Sequence, residues 1–272
     1  MKMVYVIKAS GKKEEFNPNK IRGTLFRAGA SNKLIDEIVN EVERKVYDGI
    51  TTREIFDTAM QLLKSQKPEI ASIYDLKNAI MNLGPTGFPF ERFFAKVLEN
   101  YGYKTEVGQN VRGRITSHEV DIIARKKYRY MIECKYHNSP GVYTNLKVVL
   151  YVYARFLDLS KHFDRPWIAT NTKLSQKAVI YAERVNMRIT SWNYPGKKSL
   201  RELIERKKLY PITILKSIDN NTKMKLTQAG IFLVENLSEH SMGELKVKTK
   251  IPESQLKKII DEARKIRKVK VR

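Results

Sequence analysis

Three charged side chains interrupt two short apolar runs in the middle of the chain. Asp121 lies in "EVDIIA", and Glu133 and Lys135 lie in "RYMIECKYH". Burying an unpaired carboxylate or ammonium group is costly, so such residues usually have a partner, a bound metal or a catalytic role. Both runs have the length of a strand, and the short segment "RKKYR" joins them. The spacing therefore predicts two carboxylates and an amine at one edge of a sheet.

The chemistry of this trio is that of a magnesium site. Side chains alternate along a strand, so Glu133 and Lys135 share one face, while Cys134 points to the other. Two carboxylates supply the hard oxygen ligands that Mg²⁺ prefers, with water and phosphate completing the octahedron. The metal would polarise a phosphate oxygen and lower the pKa of a bound water. We expect Lys135 to orient that water or to neutralise charge on the phosphate.

A fourth charged residue, Glu91, lies on a helix predicted from about Phe90 to Tyr101. At about 100° per residue, Glu91 borders the face of this helix that should pack inward. We expect it to support the metal site. The residue pattern alone also allows a surface Glu–Lys pair, which is common on a lysine-rich chain. Cys134 is expected to pack in the core, and His118 and His137 to lie at the surface or to contact DNA.

Composition indicates a globular protein with a polyanionic partner. The 272 residues are 42 % apolar and 10 % aromatic, the formal net charge is +23 and the pI is about 9.9. This length allows two or three domains, each with its own core. Most of the excess positive charge lies after residue 85, and it is not concentrated on one helix beside a bulky apolar face. Nucleic acid is therefore a better partner than a membrane surface.

Further features of the sequence favour a cytoplasmic location. Cys134 is the only cysteine, and the start "MKMVYVIKASGKK" lacks an apolar signal core. The longest apolar run, "LKVVLYVYARFL", is interrupted by Arg155 and is too short to span a bilayer. The sequence has no Walker-type glycine-rich loop, so a nucleotide would act as an effector and not as fuel.

Changes in periodicity predict three domains. Residues 1–84 show a strand followed by helical spacing, which ends at "LGPTGFP". Residues 85–195 alternate helices with five strand-like runs, which indicates an α/β domain. Residues 196–272 return to helical spacing with many lysines. We therefore predict a multidomain α/β chain with a small all-α module at its end.

The central domain resembles the Mrr-like branch of the PD-(D/E)xK nucleases. The matching blocks are a helix with "FE", a strand with "DII", the motif "ECK", and a strand ending in "TN" before "SQKA". The resemblance implies an α/β nuclease core and Mg²⁺-dependent hydrolysis of DNA phosphodiesters. By position, it implies that Asp121 and Glu133 bind the metal, that Lys135 assists the attacking water, and that Glu91 supports the site.

The first 80 residues resemble the ATP-cone domain that controls ribonucleotide reductases and some repressors. The matching parts are "VIKASG", "EEFNPNKI" and "GITTREI". The resemblance implies an α+β fold, a helical bundle with a small sheet, that binds ATP or dATP. We expect Lys8 and Lys20 to hold phosphates as point charges, Glu14 to accept from the adenine amine or a ribose hydroxyl, and Thr52 to donate to a phosphate near a helix N-terminus.

Two positions depart from the cone pattern. Ala9 stands where an arginine is usual, and Ser10 where an acidic residue is usual. The loss of a cation is expected to weaken triphosphate binding or to change the nucleotide preference. Cone domains often switch contacts between subunits, so the resemblance also implies a homodimer or a larger assembly.

The last segment, "LTQAGIFLVENLSEHSMGELKVKTKIPESQLKKIIDEAR", resembles the helix-hairpin-helix bundle at the front of archaeal recombinases. The resemblance implies contacts to DNA phosphates, largely independent of sequence. The usual hairpin glycines are absent from "TKIPES", and a small helical packing module is the alternative. Either module would favour salt-sensitive DNA affinity through its lysines. These are Lys246, Lys248, Lys250, Lys257 and Lys258.

These observations together predict a Mg²⁺-dependent DNA endonuclease under the control of ATP or dATP. Two alternatives stay open. The chain could be a nucleotide-responsive DNA-binding regulator with an inactive nuclease fold, or a structural or repair-assembly protein that only holds DNA. Retention of Asp121, Glu133 and Lys135 favours the enzyme, because an idle site has no reason to keep two costly carboxylates.

Overall fold

The computed structural model describes residues 4–271 and shows a mixed α/β chain, as predicted. The chain folds into two compact units. One contains the chain up to Ala79 together with Ile212–Ala229 and the chain from Glu235 onward, and the other contains Ile80–Pro211 and Gly230–Val234. The three-domain division at residues 84 and 195 stays a prediction.

The N-terminal segment begins with a β-hairpin. Strands β1 (Tyr5–Ile7) and β2 (Lys13–Glu15) are antiparallel, and the chain turns between them at Gly11. Gly11 has a φ of +76° and donates its amide to the carbonyl of Lys8 at 2.8 Å. A left-handed backbone strains most residues but not glycine, which accounts for the turn at this position.

Five helices follow the hairpin. They are α1 (Pro18–Arg27), α2 (Asn32–Lys45), α3 (Thr52–Gln66), α4 (Pro68–Tyr74) and α5 (Leu76–Met81). The sequence predicts a capped start for α3, with Thr51 or Thr52 ahead of Glu54, and the structure has a capping box of Thr51 and Glu54. The spacing also predicts a single helix from about Pro68 to Leu83, which is wrong, because the helix is interrupted at Asp75. The carboxylate of Asp75 accepts hydrogen bonds from Asn78 and Lys216, each at 2.7 Å.

The second unit contains a sheet, which is five-stranded in the described part of the chain. Its strands are β3 (Lys104–Arg112), β4 (Ser117–Arg125), β5 (Arg129–Lys135), β7 (Arg165–Thr170) and β9 (Arg188–Thr190) in that spatial order. Strand β4 is antiparallel to both β3 and β5, whereas β5, β7 and β9 run parallel to one another. A short parallel pair, β6 (Tyr143–Thr144) and β8 (Lys173–Leu174), lies outside this sheet and was not expected.

Helices of the second unit supply the cover that a half-parallel sheet requires. They are α6 (Phe88–Asn100), α7 (Leu146–Asp158), α8 (Gln176–Arg184) and α9 (Leu200–Lys207). Phe90 and Phe94 of α6 are fully buried, and the ring of Phe94 meets Trp167 of β7 edge-on, with the ring centroids 5.8 Å apart. Val149 and Val152 of α7 pack in a second cluster with Met131 and Ile168. The sheet therefore has an apolar core on each side.

The C-terminal segment is helical, as predicted. Its helices are α10 (Asn220–Gln228), α11 (Met242–Thr249) and α12 (Glu253–Lys268). The link from α11 to α12 turns at Lys250, which has a φ of +54°, in place of a glycine. The helix-hairpin-helix assignment stays a prediction. Within residues 4–271, no helix combines the length and the apolar character needed to cross a bilayer.

The aromatic packing of α6 predicts a large cost for truncation. Phe94→Ala should destabilise the second unit by about 3–5 kcal/mol, because a fully buried ring is lost and a cavity remains. Urea unfolding followed by tryptophan fluorescence measures this, since Trp167 and Trp192, the only tryptophans, both lie in this unit. Phe88→Ala, on the same helix but 50 % exposed, should cost less than about 1 kcal/mol. Equal losses in the free energy of unfolding for Phe94→Ala and Phe88→Ala would contradict the burial of Phe94 in the core.

Candidate functional site

The register of β4 and β5 places two carboxylates next to each other. Ile122 pairs with Ile132, and the antiparallel register continues toward the turn at Arg125 and Arg129. One step in the other direction, beyond the paired stretch, Asp121 is opposite Glu133. Directly opposed residues of an antiparallel pair lie on the same face of a sheet. The alternation along β5 adds Lys135 to this face.

Asp121 has only part of its hydrogen-bonding capacity filled. Its Oδ2 accepts from the backbone amide of Cys134 at 2.7 Å, and no described residue donates to Oδ1. Burial and the nearby charge of Glu133 raise the pKa of Asp121 to about 6, although the Cys134 amide opposes the shift. Asp121 thus lies in a site that contains more carboxylates than positively charged side chains.

Glu133 is fully engaged. Its carboxylate is buried, with Oε1 2.8 Å from Nζ of Lys135 and Oε2 2.5 Å from NH1 of Arg155. Arg155 is itself buried on α7, and its guanidinium lies over the ring of Tyr151. In the sequence, Arg155 is visible only as a charged residue that interrupts the apolar run "LKVVLYVYARFL". Val149, Val152 and Arg155 follow one another at intervals of three residues, which puts them on one face of α7. This spacing was the signal in the sequence that the charge of Arg155 faces inward.

Glu91 comes to the same place from α6. It is half-buried, and its carboxyl group makes no hydrogen bond or ion pair with any residue between 4 and 271. Burial, followed by the charges of Asp121, Glu119 and Glu133, raises the pKa of Glu91 to about 7. The structure therefore brings Glu91, Asp121, Glu133 and Lys135 close enough to interact electrostatically, as the spacing predicted. Their catalytic roles stay predictions.

The remaining polar groups around β5 have structural partners. Burial lowers the pKa of Lys135, but the hydrogen bond and charge of Glu133 outweigh it, so the net shift is upward. Burial raises the pKa of the Cys134 thiol well above its ordinary value, so this cysteine is no nucleophile. The side chain of Asn171 binds both the amide and the carbonyl of His137, at 2.9 and 2.7 Å, and so holds the chain just after Lys135.

A divalent cation fits this set of donors. The free Oδ1 of Asp121 and the unpaired carboxyl of Glu91 are hard oxygen ligands, and burial, followed by the charges of neighbouring acids, raises the pKa of both. Glu133 would share Oε1 with Lys135. Within residues 4–271, no group of three or more His, Cys, Asp or Glu side chains is arranged so that it could hold a metal ion, so at most two carboxylates would act as ligands. Mg²⁺ commonly binds through one or two carboxylates, with water and phosphate filling the other positions.

The predicted nucleotide residues gather at the N-terminal hairpin. Glu14 of β2 forms ion pairs with Lys8 and with Lys20 of α1, the latter at 2.8 Å. Hydrogen bonds from Lys20 and then Lys8 lower the pKa of Glu14. The strand residue Ile7 pairs with Thr51, so Thr52, the first residue of α3, lies beside this cluster. Two ammonium groups share one carboxylate, which leaves a net positive charge for a phosphate.

Comparison with protein families finds three matches along the chain, of which the first two are the predicted ones. The ATP cone domain model matches residues 4–77, and a restriction endonuclease model matches residues 85–200. A third model, AF1548-like, C-terminal, matches residues 210–267. The prediction of a cone followed by a restriction-endonuclease domain is therefore confirmed. The matched C-terminal family does not establish the helix-hairpin-helix detail.

Two comparisons decide the family. An uncharacterized protein of Archaeoglobus fulgidus is 43 % identical over 177 residues, which cover 63 % of this chain and 98 % of that protein. The crystal structure of AF1548, a protein of unknown function, matches with a TM-score of 0.61 and 39 % identity, covering 66 % of this chain and 98 % of that chain. The chain belongs to the AF1548-like family. Each match leaves about a third of this AF1548-like protein outside the alignment.

Two transcriptional repressors named NrdR match a shorter segment. They come from Caldicellulosiruptor bescii and Caldicellulosiruptor saccharolyticus, and each is 35 % identical over 69 residues. The match covers 22 % of the AF1548-like protein and 45 % of each repressor. The chain thus spans less than half the length of these repressors.

The raised pKa of Glu91 predicts a pH-dependent stability. Because its folded pKa lies above its ordinary value of 4.5, the folded state binds more protons than the unfolded state between about pH 4.5 and 7. The contribution of Glu91 to the free energy of unfolding therefore falls as the pH rises from about 4.5 to 7. In buffer without divalent cations, Glu91→Gln should raise the urea midpoint at pH 8 and narrow the difference between pH 5 and pH 8. Glu106→Gln, an exposed acid on β3, should change neither. An unchanged pH profile in Glu91→Gln would refute the assignment.

Proposed function

We propose that this AF1548-like protein is a metal-dependent DNA endonuclease that an adenine nucleotide regulates through the cone domain. The observation that carries the proposal is the pair of under-neutralised carboxylates, Asp121 and Glu91, beside Lys135 in a domain of the restriction-endonuclease family. Groups with pKa values displaced in this way concentrate at functional sites. A structural ion pair would not need three crowded acids with one of them unpaired.

Each residue has a role in this proposal. Asp121 and Glu133 would hold Mg²⁺, which when bound polarises the phosphate and acidifies a water ligand. Lys135, half exposed and 2.8 Å from Glu133, extends from the acid cluster toward solvent, where a phosphate would approach. Glu91 would orient water or share the metal. Arg155 would hold the carboxylate of Glu133 in place in the apolar interior.

The whole-chain proposal includes the flanking segments. Lys8, Glu14, Lys20 and Thr52 would bind ATP or dATP, and a formal net charge of +23 suits a DNA substrate. The C-terminal lysines would add affinity that is independent of DNA sequence. We place the three domains at residues 1–84, 85–195 and 196–272, expect a homodimer or larger assembly, and expect a cytoplasmic location.

A DNA-binding regulator with an inactive nuclease fold is the second candidate. One observation favours it: both oxygens of Glu133 already have cationic partners, Lys135 and Arg155, so this carboxylate is satisfied without a metal. The partial match to transcriptional repressors concerns the same class of function. The same cone would then respond to nucleotide while the second unit only held DNA.

Plasmid cleavage with Mg²⁺, with and without ATP, tests the enzyme. We expect Asp121→Ala to reduce the rate by more than about 100-fold, because even outer-shell changes at metal sites cost about 10–100-fold. Lys135→Ala should reduce the rate as well, and the exposed Glu106→Gln should cleave as the wild type does. Cutting that survives both active-site substitutions would mean another site or a contaminant. DNA binding without cutting in any condition would favour the regulator.

Calorimetric titration with ATP and with dATP tests the cone site. Lys8→Ala and Lys20→Ala should each weaken binding by about tenfold, since each removes a charge-assisted hydrogen bond to phosphate. Lys13→Ala, an exposed lysine of β2 in the same hairpin, is the matched control and should bind as the wild type does. Equal affinities in the three variants would place the nucleotide elsewhere.

A further inference from the structure

The turn between β3 and β4 presents an isoleucine to solvent. The turn runs through Gly113, Arg114, Ile115 and Thr116, and Ile115 is 77 % exposed. Single exposed apolar residues are common and by themselves need no explanation. Val247 on α11, for example, is 78 % exposed. Ile115 differs from such residues in the contacts that fix its backbone and in the charged residues beside it.

A buried carboxylate from α7 holds this turn in place. Asp158 accepts from the amide of Ile115 at 2.7 Å and from the amide of Thr116 at 3.2 Å. Its Oδ2 is also 2.8 Å from Nε2 of His118, and its backbone carbonyl accepts from the amide of Arg114 at 3.1 Å. Four polar contacts to one residue fix the backbone on which Ile115 stands.

Two further contacts complete the clamp. Nε2 of His162 lies 2.9 Å from the carbonyl oxygen of Arg112, at the last residue of β3. Gly113 is required at its position, because a Cβ there would collide with the Asp158 carboxylate and would lie 2.8 Å from the carbonyl oxygen of Thr116. These contacts fix the backbone of the turn. The exposure of Ile115 therefore does not come from a loosely held loop.

Two cations lie beside the isoleucine in the chain. The guanidinium groups of Arg112 and Arg114, on the N-terminal side of Ile115, make no hydrogen bond or ion pair within residues 4–271. Asp158, the acid next to the turn, is occupied by the contacts above. An exposed apolar side chain beside unpaired arginines matches the chemistry of proteins that press a wedge into the minor groove of DNA.

We propose that the β3–β4 tip, residues 112–116, is a contact for duplex DNA. Ile115 packs against a base step from the minor groove, and Arg112 and Arg114 contact the phosphates on either side. The inference rests on the proposed function in taking DNA as the substrate, and it assigns a contact that the metal site does not include.

The spacing between the turn and Asp121 fits a duplex that also reaches the acid cluster. Ile115, in the turn, and Asp121, on β4, are six residues apart, so they lie at most about 20 Å from each other. This distance corresponds to at most about six base pairs of B-DNA at 3.4 Å per step. The tip would therefore touch the duplex within about half a helical turn of the bond that is cut.

Binding measured in an Asp121→Ala background tests the tip without cleavage. Fluorescence anisotropy with a labelled 30-base-pair duplex should show about tenfold weaker binding for Ile115→Ser, because the apolar contact is lost. Ile180→Ser, an exposed isoleucine on α8 of the same unit, should bind as the parent does. Since both isoleucines are exposed, thermal unfolding should be the same in all three proteins. Equal affinity of Ile115→Ser and the parent would overturn the proposal, as would an equal loss in Ile180→Ser.

Salt dependence separates the arginines from the isoleucine. Arg112→Gln and Arg114→Gln should each reduce the slope of log K against log salt concentration by about 1, whereas Ile115→Ser should leave this slope unchanged. A ligand that fills the minor groove should compete with the parent. Competition only from a ligand of the major groove, or unchanged slopes in both arginine variants, would contradict the assignment.

The outcome is independent of whether the protein cuts DNA. Loss of binding in Ile115→Ser, together with no Mg²⁺-dependent cleavage by the wild type, would support the tip and reject the endonuclease. Cleavage that depends on Asp121 but not on Ile115, with equal binding by Ile115→Ser and the parent, would support the endonuclease and reject the tip.

Discussion

The buried ion pair between Glu133 and Arg155 is the interaction on which the candidate site depends. A carboxylate removed from water costs several kcal/mol unless its lone pairs and charge are met. Arg155 meets one oxygen at 2.5 Å from α7, and Lys135 meets the other at 2.8 Å from the same strand. Only with Glu133 neutralised in this way can Asp121 and Glu91 lie next to it. Their own charges stay unmatched, which is the condition that favours a cation.

The same helix positions two features of the second unit. Arg155 and Asp158 lie three residues apart on α7, and residues at that spacing are neighbours on a helix surface. Arg155 holds the catalytic candidate Glu133, and Asp158 holds the tip at Ile115. The apolar side chains Val149 and Val152 fix α7 against the sheet. Packing of this helix therefore sets the distance between the acid cluster and the projecting hairpin.

Local chemistry made much of this fold predictable from the sequence. The alternation in "EVDIIA" and "RYMIECKYH" gave both strands and the shared face of Glu133 and Lys135, because a strand has a period of two whatever its surroundings. The capping pattern at Thr51 and Glu54 gave the start of α3. Arg155 was missed because a charged residue within an apolar run is normally an interruption, and its partner Glu133 lies 22 residues earlier.

Long-range contacts account for the other differences. At the break between α4 and α5, Asp75 is bound by Asn78, three residues away, and by Lys216, 141 residues away, and only the first of these contacts is local in sequence. The grouping of the C-terminal segments with the N-terminal ones in one unit depends on contacts of the same kind. Periodicity shows where an element ends, but it carries no information on which distant element packs against it.

The cone cluster shows how charge can prepare a site for an anion. Lys8 and Lys20 would repel each other if they stood alone, and Glu14 between them removes that repulsion and orders both side chains. Under the proposed function, a triphosphate takes the place of Glu14 in some of the contacts to Lys8 and Lys20. Because both lysine side chains are already held by Glu14, binding costs less conformational entropy than it would with two mobile lysines. For the nucleotide to regulate the nuclease, its affinity must differ between active and inactive arrangements, and DNA must then alter nucleotide affinity by the same factor. Regulation of this kind therefore requires a contact of the nucleotide site that changes between those arrangements.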